Sequence, residues 1–249
     1  MAVAAVAVSA LALSACASGG ESTPAESTSG DAAEGFGTLA VQLSWIKNEE
    51  FAGDFFAMEN GYYTEAGFDE VTLTPGPTTG AAELISGTAD IAFSDAVSIG
   101  SVVAAEGAPL KIIGAVYQKN PFTILSLADG GNITTPEDLK GKKIGVQDSN
   151  TALFKALLAA NGIDESELEI VPVQYDPAPL TNGEVDGFMA YLTNESITVA
   201  AAGFEVANLP FADNGLPFVA ETITTTDDMI ANDREKLKER LAKLAGGVA

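Results

Sequence analysis

From Leu39 onward the chain alternates short apolar runs of strand length with stretches of helix length, and the alternation restarts after Val116. Leu39, Val41 and Leu43 alternate as a strand entering a core. Helical stretches are expected at 51–58, 80–85 and 97–105, stopped by Asn60-Gly61 and by Gly87, with strands between them at 71–74, 89–93 and 111–116. In the second set the spacing predicts strands at 122–127, 143–146, 169–173, 185–190 and 218–223. Helices are expected at 151–161 and, shorter, around 180–183, and an amphipathic helix at 227–244. Thr135-Pro136-Glu137-Asp138 reads as a helix opening, with a Thr cap and Pro at the first helical position. Such β-α repetition calls for a mostly parallel sheet covered by helices. Two similar sets joined by short crossings that carry Pro and Gly imply two Rossmann-like α/β lobes with a cleft between them.

Composition narrows the chemistry. The 249 residues include 12 Lys+Arg, 35 Asp+Glu, one Cys and no His, a formal charge of −23. Without His there is no Ser-His-Asp or Cys-His nucleophile system and no usual general base or zinc ligand. One Cys allows neither an internal disulfide nor a thiolate metal cluster. So acidic a chain repels a phosphate backbone, and nucleic acid is excluded as a partner class.

Residues 2–15 form an unbroken run of small and apolar residues, too short for the roughly 20 residues of a membrane span and suited to the apolar region of a signal peptide. It ends in Leu13-Ser14-Ala15-Cys16, similar to a bacterial lipobox, in which Cys16 receives the lipid and becomes the mature N-terminus. No Lys or Arg precedes Lys47, which implies that the sequence begins a few residues late in its leader. Residues 16–37, rich in Gly, Ser, Thr and Glu, are expected to be a disordered tether, and acylation of Cys16 would hold it at a bilayer.

Several segments taken in order carry a resemblance. They are Leu43-Ser44-Trp45 through Phe51-Ala52-Gly53, Glu59-Asn60-Gly61-Tyr62-Tyr63-Thr64-Glu65-Ala66-Gly67-Phe68, Ile85-Ser86-Gly87-Thr88-Ala89-Asp90-Ile91, Asp138-Leu139-Lys140-Gly141-Lys142-Lys143-Ile144-Gly145-Val146, and Asn182-Gly183-Glu184-Val185-Asp186. Together they resemble solute-binding lipoproteins of bacterial ABC importers, in the branch similar to thiamine pyrimidine synthase that includes binders of thiamine precursors, riboflavin and alkanesulfonates. The resemblance implies a type II periplasmic binding protein whose lobes close on a ligand by hinge bending and pass it to a membrane permease. It implies one lobe at 38–117 plus 215–249, a second at 118–214, a monomer, no cofactor, and an extracytoplasmic, lipid-anchored location. An enzyme similar to the synthase is the competing reading; the synthase uses an active-site His and a Cys-rich segment, which this chain lacks.

In open α/β sheets ligands meet the carboxyl ends of strands and the helix N-termini beyond them. Candidate ligand contacts are therefore Trp45 and Asn48 after the first strand, in a loop that also carries Glu49 and Glu50, and Ser94 and Asp95 after 89–93. Gln118 and Asn120 fall at the first crossing, and Ser149 at a helix start, where an ordinary cap is the competing role. Tyr175 and Asp176 follow 169–173; Tyr191, Asn194 and Glu195 follow 185–190. The resemblance implies that Trp45 offers an aromatic face to a planar ligand. Of the basic residues only Lys47 and Lys119 fall near these loops, and no Arg does, so the Arg fork suited to phosphate or sulfonate is missing. The expected ligand is a neutral or cationic aromatic heterocycle, an aminopyrimidine thiamine precursor first and a flavin second. The basic run 234–243 is expected on the exposed face of the last helix, with Leu237, Leu241 and Leu244 turned inward.

Overall fold

The computed structural model describes residues 35–246, with side chains described through Leu241. The apolar run at 2–15 and Cys16 lie outside the described residues, as does the tether up to Glu34. Its last residues already belong to the fold: Phe36 packs on Phe68 with ring centroids 5.3 Å apart, and Gly37 opens the first strand.

Among the described residues, ten strands form two five-stranded sheets. They are β1 (Gly37–Gln42), β2 (Phe68–Thr74), β3 (Ile91–Asp95), β4 (Leu110–Tyr117), β5 (Phe122–Leu127), β6 (Lys143–Val146), β7 (Glu169–Pro172), β8 (Gly187–Tyr191), β9 (Val206–Pro210) and β10 (Ala220–Thr226). The first sheet runs β2-β1-β3-β10-β4 and the second β7-β6-β8-β5-β9. In each, one strand opposes the other four: β10 is antiparallel to β3 and β4, and β5 is antiparallel to β8 and β9. Each opposed strand is the first that the chain lays down after crossing between sheets. The two sheets thus share one plan and exchange one strand each, the two-lobed architecture of type II periplasmic binding proteins.

The repeated plan explains two of the sequence segments physically. Gly87 and Gly183 end helices with φ of 74° and 75°, a left-handed turn that favours glycine. Three residues later an aspartate reaches across to the neighbouring strand, β1 in one sheet and β6 in the other: Asp90 accepts from the Ala40 N–H at 2.9 Å, and Asp186 from the Lys143 N–H at 2.8 Å. These residues register strands and lie away from the cleft.

The C-terminal stretch differs from the sequence expectation in two ways. The stretch at 227–244 is two helices, Asp227–Asn232 and Arg234–Gly246, broken at Asp233. The basic run is not wholly exposed: Arg240 is fully buried, its Nη2 2.6 Å from Asp54 Oδ1, with its guanidinium carbon 5.7 Å from the ring centroids of both Tyr63 and Phe93. Tyr63 donates a short hydrogen bond to the same carboxylate. Leu237 is turned inward as expected, and Leu241 packs at the margin of the same core.

Each sheet has its own core. Leu39, Val41, Ile91 and Phe93 pack under the helices of the first, and Ile124, Ile144, Phe154 and Leu157 under those of the second. At the crossings, Asn120 donates from its backbone N–H to Phe218 O at 2.9 Å and from Nδ2 to Leu216 O at 2.6 Å. The two connections are thereby tied side by side.

Candidate functional site

Both sheets end in one cavity, with an empty volume of about 510 Å³ that is open to solvent. The first lobe contributes Ser44 and Trp45 beyond β1, Glu50, Thr78, Thr79, Ser94 and Asp95 at the end of β3, and Glu221 of β10. The second contributes Phe122, Ser149, Asn150, Met189, Ala190, Tyr191, Asn194 and Glu195.

Local structure presents these groups. The turn after β1 is held against the turn after β2 by Gly76 N–H to Trp45 O at 2.7 Å and Thr78 N–H to Ser44 O at 3.3 Å. This places Ser44 and Trp45 at the rim. Trp45 meets Tyr175 of the other lobe edge to face, with centroids 6.1 Å apart. Tyr191 stands between Tyr117 and Phe122, edge-on to both, at 6.2 and 4.5 Å. The aromatic walls therefore come from both lobes, an arrangement suited to a planar guest.

Four of the polar groups are acidic. Asp95 caps helix Ala96–Glu106, accepting from the Val97 and Ser98 N–H groups at 2.9 and 2.8 Å. Burial pushes its carboxyl upward, against these hydrogen bonds, which pull it down. Glu195 accepts from the Tyr191 N–H at 2.8 Å, and burial raises its carboxyl too. Glu221 is 2% exposed; its Oε1 accepts from Ser44 Oγ at 2.8 Å and, across the lobes, from the Tyr191 hydroxyl at 3.2 Å. Burial raises Glu221 to about 7, while the hydrogen bonds from Ser44, Glu50 and Tyr191 oppose the rise. Glu50 faces Glu221, and burial followed by the neighbouring Glu221 charge pushes it up to about 10. No lysine or arginine lines the cavity among the described residues.

Of the residues chosen from sequence, Trp45, Ser94, Asp95, Ser149, Tyr191, Asn194 and Glu195 line this cavity, and Tyr175 buttresses it through Trp45. Ser149 is not a cap: it sits inside the short 3-10 turn Asp148–Asn150 that precedes helix Thr151–Ala160. Four fall elsewhere. Asn48 caps the 3-10 turn Glu49–Phe51 through Oδ1, which accepts from the Glu50 N–H at 3.1 Å. Gln118 is exposed, Asn120 ties the crossings, and Asp176 accepts from the Ala178 N–H at 2.9 Å on the outer surface. Lys119 pairs with Asp213 on the surface at 2.7 Å, and Lys47 is exposed.

Sequence reasoning missed Glu221. It sits within a strand, where a side chain belongs to the sheet and not to a loop. Its φ is +48°, and the register of β10 against β3 slips between Ala220 and Thr222. This bulge re-aims the carboxylate into the cleft. The available signal was a lone carboxylate in an otherwise uncharged run, Phe218-Val219-Ala220-Glu221-Thr222-Ile223, directly after a crossing.

Over residues 48–249 the sequence matches the family described as NMT1/THI5 like. The chain belongs to that family. A curated relative of this NMT1/THI5 like chain, the formylaminopyrimidine-binding protein of Halalkalibacterium halodurans, is 22% identical over 200 residues, which are 78% of this chain and 60% of that protein's length. The chain thus spans less than two thirds of that relative. Among solved structures, the alkanesulfonate-binding protein SsuA of Xanthomonas axonopodis pv. citri bound to MOPS matches with a TM-score of 0.65 at 18% identity, covering 87% of this chain and 74% of that one. An ancestral arginine-binding protein bound to arginine matches with a TM-score of 0.60 at 18% identity, covering 84% and 91%. These likenesses establish the fold of this NMT1/THI5 like chain.

Proposed function

We propose that the protein is the extracytoplasmic solute-binding component of an ABC importer, without chemistry of its own. It closes two lobes, 38–117 plus 215–249 and 118–214, on a small aromatic heterocycle. Cys16 is its lipid anchor, residues 16–34 its tether, and a membrane permease its partner. The observation that carries the ligand class is the lining: rings of Trp45, Tyr191 and Phe122 together with the carboxyl groups of Glu50, Asp95, Glu195 and Glu221, and no cation. An aminopyrimidine, planar and rich in N–H donors, matches such walls. The description of the curated relative as a formylaminopyrimidine-binding protein supports that choice.

A sulfonate reading meets an obstacle. The N–H groups that open helix Ala96–Glu106 are already taken by the Asp95 carboxylate, and an added anion would face four carboxyl groups at close range. The enzyme reading lacks its His.

Thermal or denaturant unfolding with a ligand panel tests the proposal. A bound aminopyrimidine at 100 times its dissociation constant adds about 2.7 kcal/mol of stability. Alkanesulfonates at the same concentration leave stability unchanged. Stabilisation by sulfonates but by no heterocycle would refute the ligand class.

A further inference from the structure

Glu50, half-buried, and Glu221, 2% exposed, line one cavity as neighbouring carboxyl groups, with no cation beside them among the described residues. Glu221 Oε1 already takes two donors, one from each lobe. Its Oε2, and Oε1 of Glu50, are buried and have no hydrogen-bond partner among the described residues outside the pair itself. The hydroxyl of Ser94, a residue 4% exposed, is likewise buried without a partner, and all three residues line the same cavity. A buried polar oxygen left unpaired is destabilising, the more so when charged. Such groups persist where a partner completes them.

Two facing carboxyl groups satisfy one another only while a proton lies between them. The groups around this pair deepen the need. Glu49 and Glu195 add negative charge near Glu50, and Asp95 adds it near Glu221. Tyr191 and Tyr117 contribute neutral hydroxyls, since burial holds both phenols above their ordinary value. Among the described residues no neighbour supplies a positive charge.

We infer that the Glu50–Glu221 pair is the charge-recognition point of the cleft, built for a monocation whose N–H donors replace the proton held between the two carboxyl groups. The inference rests on the cleft being the ligand site proposed above and adds the charge of the ligand. In balance, the cation enters with its own protons, the shared proton leaves to solvent, and the two carboxylates bind the N–H groups of the guest. Because Glu221 also accepts from Tyr191 of the other lobe, the same exchange acts where the lobes meet.

Linkage gives the sign. At low pH both carboxyl groups are protonated and the cation must displace protons, so its affinity rises with pH by up to about tenfold per pH unit for each proton released. A neutral ligand of the same ring shows no such rise.

The test is titration calorimetry of the full chain with 4-amino-5-aminomethyl-2-methylpyrimidine, a cation, and its neutral N-formyl derivative. It is run at pH 6 and 7.5 in phosphate and in Tris, whose ionisation enthalpies differ. The expected result is tighter binding of the cation at pH 7.5, release of about one proton, and no proton release with the neutral probe. In E50Q and in E221Q the proton release disappears and the preference for the cation falls about tenfold or more. Neutral binding that equals or exceeds cation binding, with no proton release, overturns the inference and leaves the cleft reading standing. Proton release unchanged in both variants also overturns it. If neither probe binds the parent protein, the heterocycle reading falls and this inference falls with it.

Discussion

Asp54 and Glu50 lie one helical turn apart, on helix Ala52–Glu59 and the 3-10 turn before it, and the two buried carboxyl groups meet opposite fates. Asp54 is answered by Arg240 at 2.6 Å and by the Tyr63 hydroxyl, with Phe93 beside the guanidinium. Glu50 is answered only by another acid. The difference teaches which buried charge belongs to the fold and which belongs to the ligand. A paired charge deep in a lobe pins a helix to its sheet, whereas an unpaired one at a cleft is a site awaiting its counterpart.

The largest effect expected from this contrast is on Arg240. Arg240→Ala leaves the buried Asp54 without its cation, with only the Tyr63 hydroxyl beside it, and should cost about 3–5 kcal/mol in denaturant unfolding. A loss below about 1 kcal/mol would show that the pair does not anchor helix Arg234–Gly246.

Next comes the acidic pair, for which the sign is reversed. A carboxyl group whose folded value is raised binds its proton more tightly in the native state. Its stabilisation is fully present below the unfolded value of 4.5 and is lost as pH climbs through about 7 for Glu221 and about 10 for Glu50. The ligand-free protein should therefore lose stability between pH 5 and 9. Glu50→Gln and Glu221→Gln should each flatten that decline, leaving the variant about 1–2 kcal/mol more stable than the parent at pH 8. A pH profile unchanged in both variants would contradict the assignment. Tyr191→Phe removes one hydrogen bond between the lobes and should cost about 0.5–1.5 kcal/mol in the same assay.

Much of this was legible in the sequence, and the gaps have physical causes. Strands such as β5 and β6 declare themselves as short apolar runs, and local chemistry marks the helix stops at Gly87 and Gly162. Strand β9 escaped because Val206-Ala207-Asn208-Leu209-Pro210 breaks alternation with an amide and a proline. The antiparallel placing of β5 and β10 is decided by which sheet the chain joins after each crossing, a long-range choice that no window of sequence carries. Arg240 was misplaced although periodicity pointed inward: 237, 240 and 241 share one helical face, and its charge was weighed above its position.

Site residues just beyond strand ends were legible because the crevice rule marks them, as with Trp45, Asp95 and Tyr191. Glu221 was not, because a backbone bulge and not its place in a loop turns it into the cleft.

Trp45 gives the most direct measurement, since it is the only Trp in the chain and forms part of the cleft wall. Its fluorescence, titrated with an aminopyrimidine that stabilises the protein, should change saturably at the concentration that half-saturates the stabilisation. Full stabilisation with unaltered Trp45 emission would place the ligand elsewhere and contradict the account.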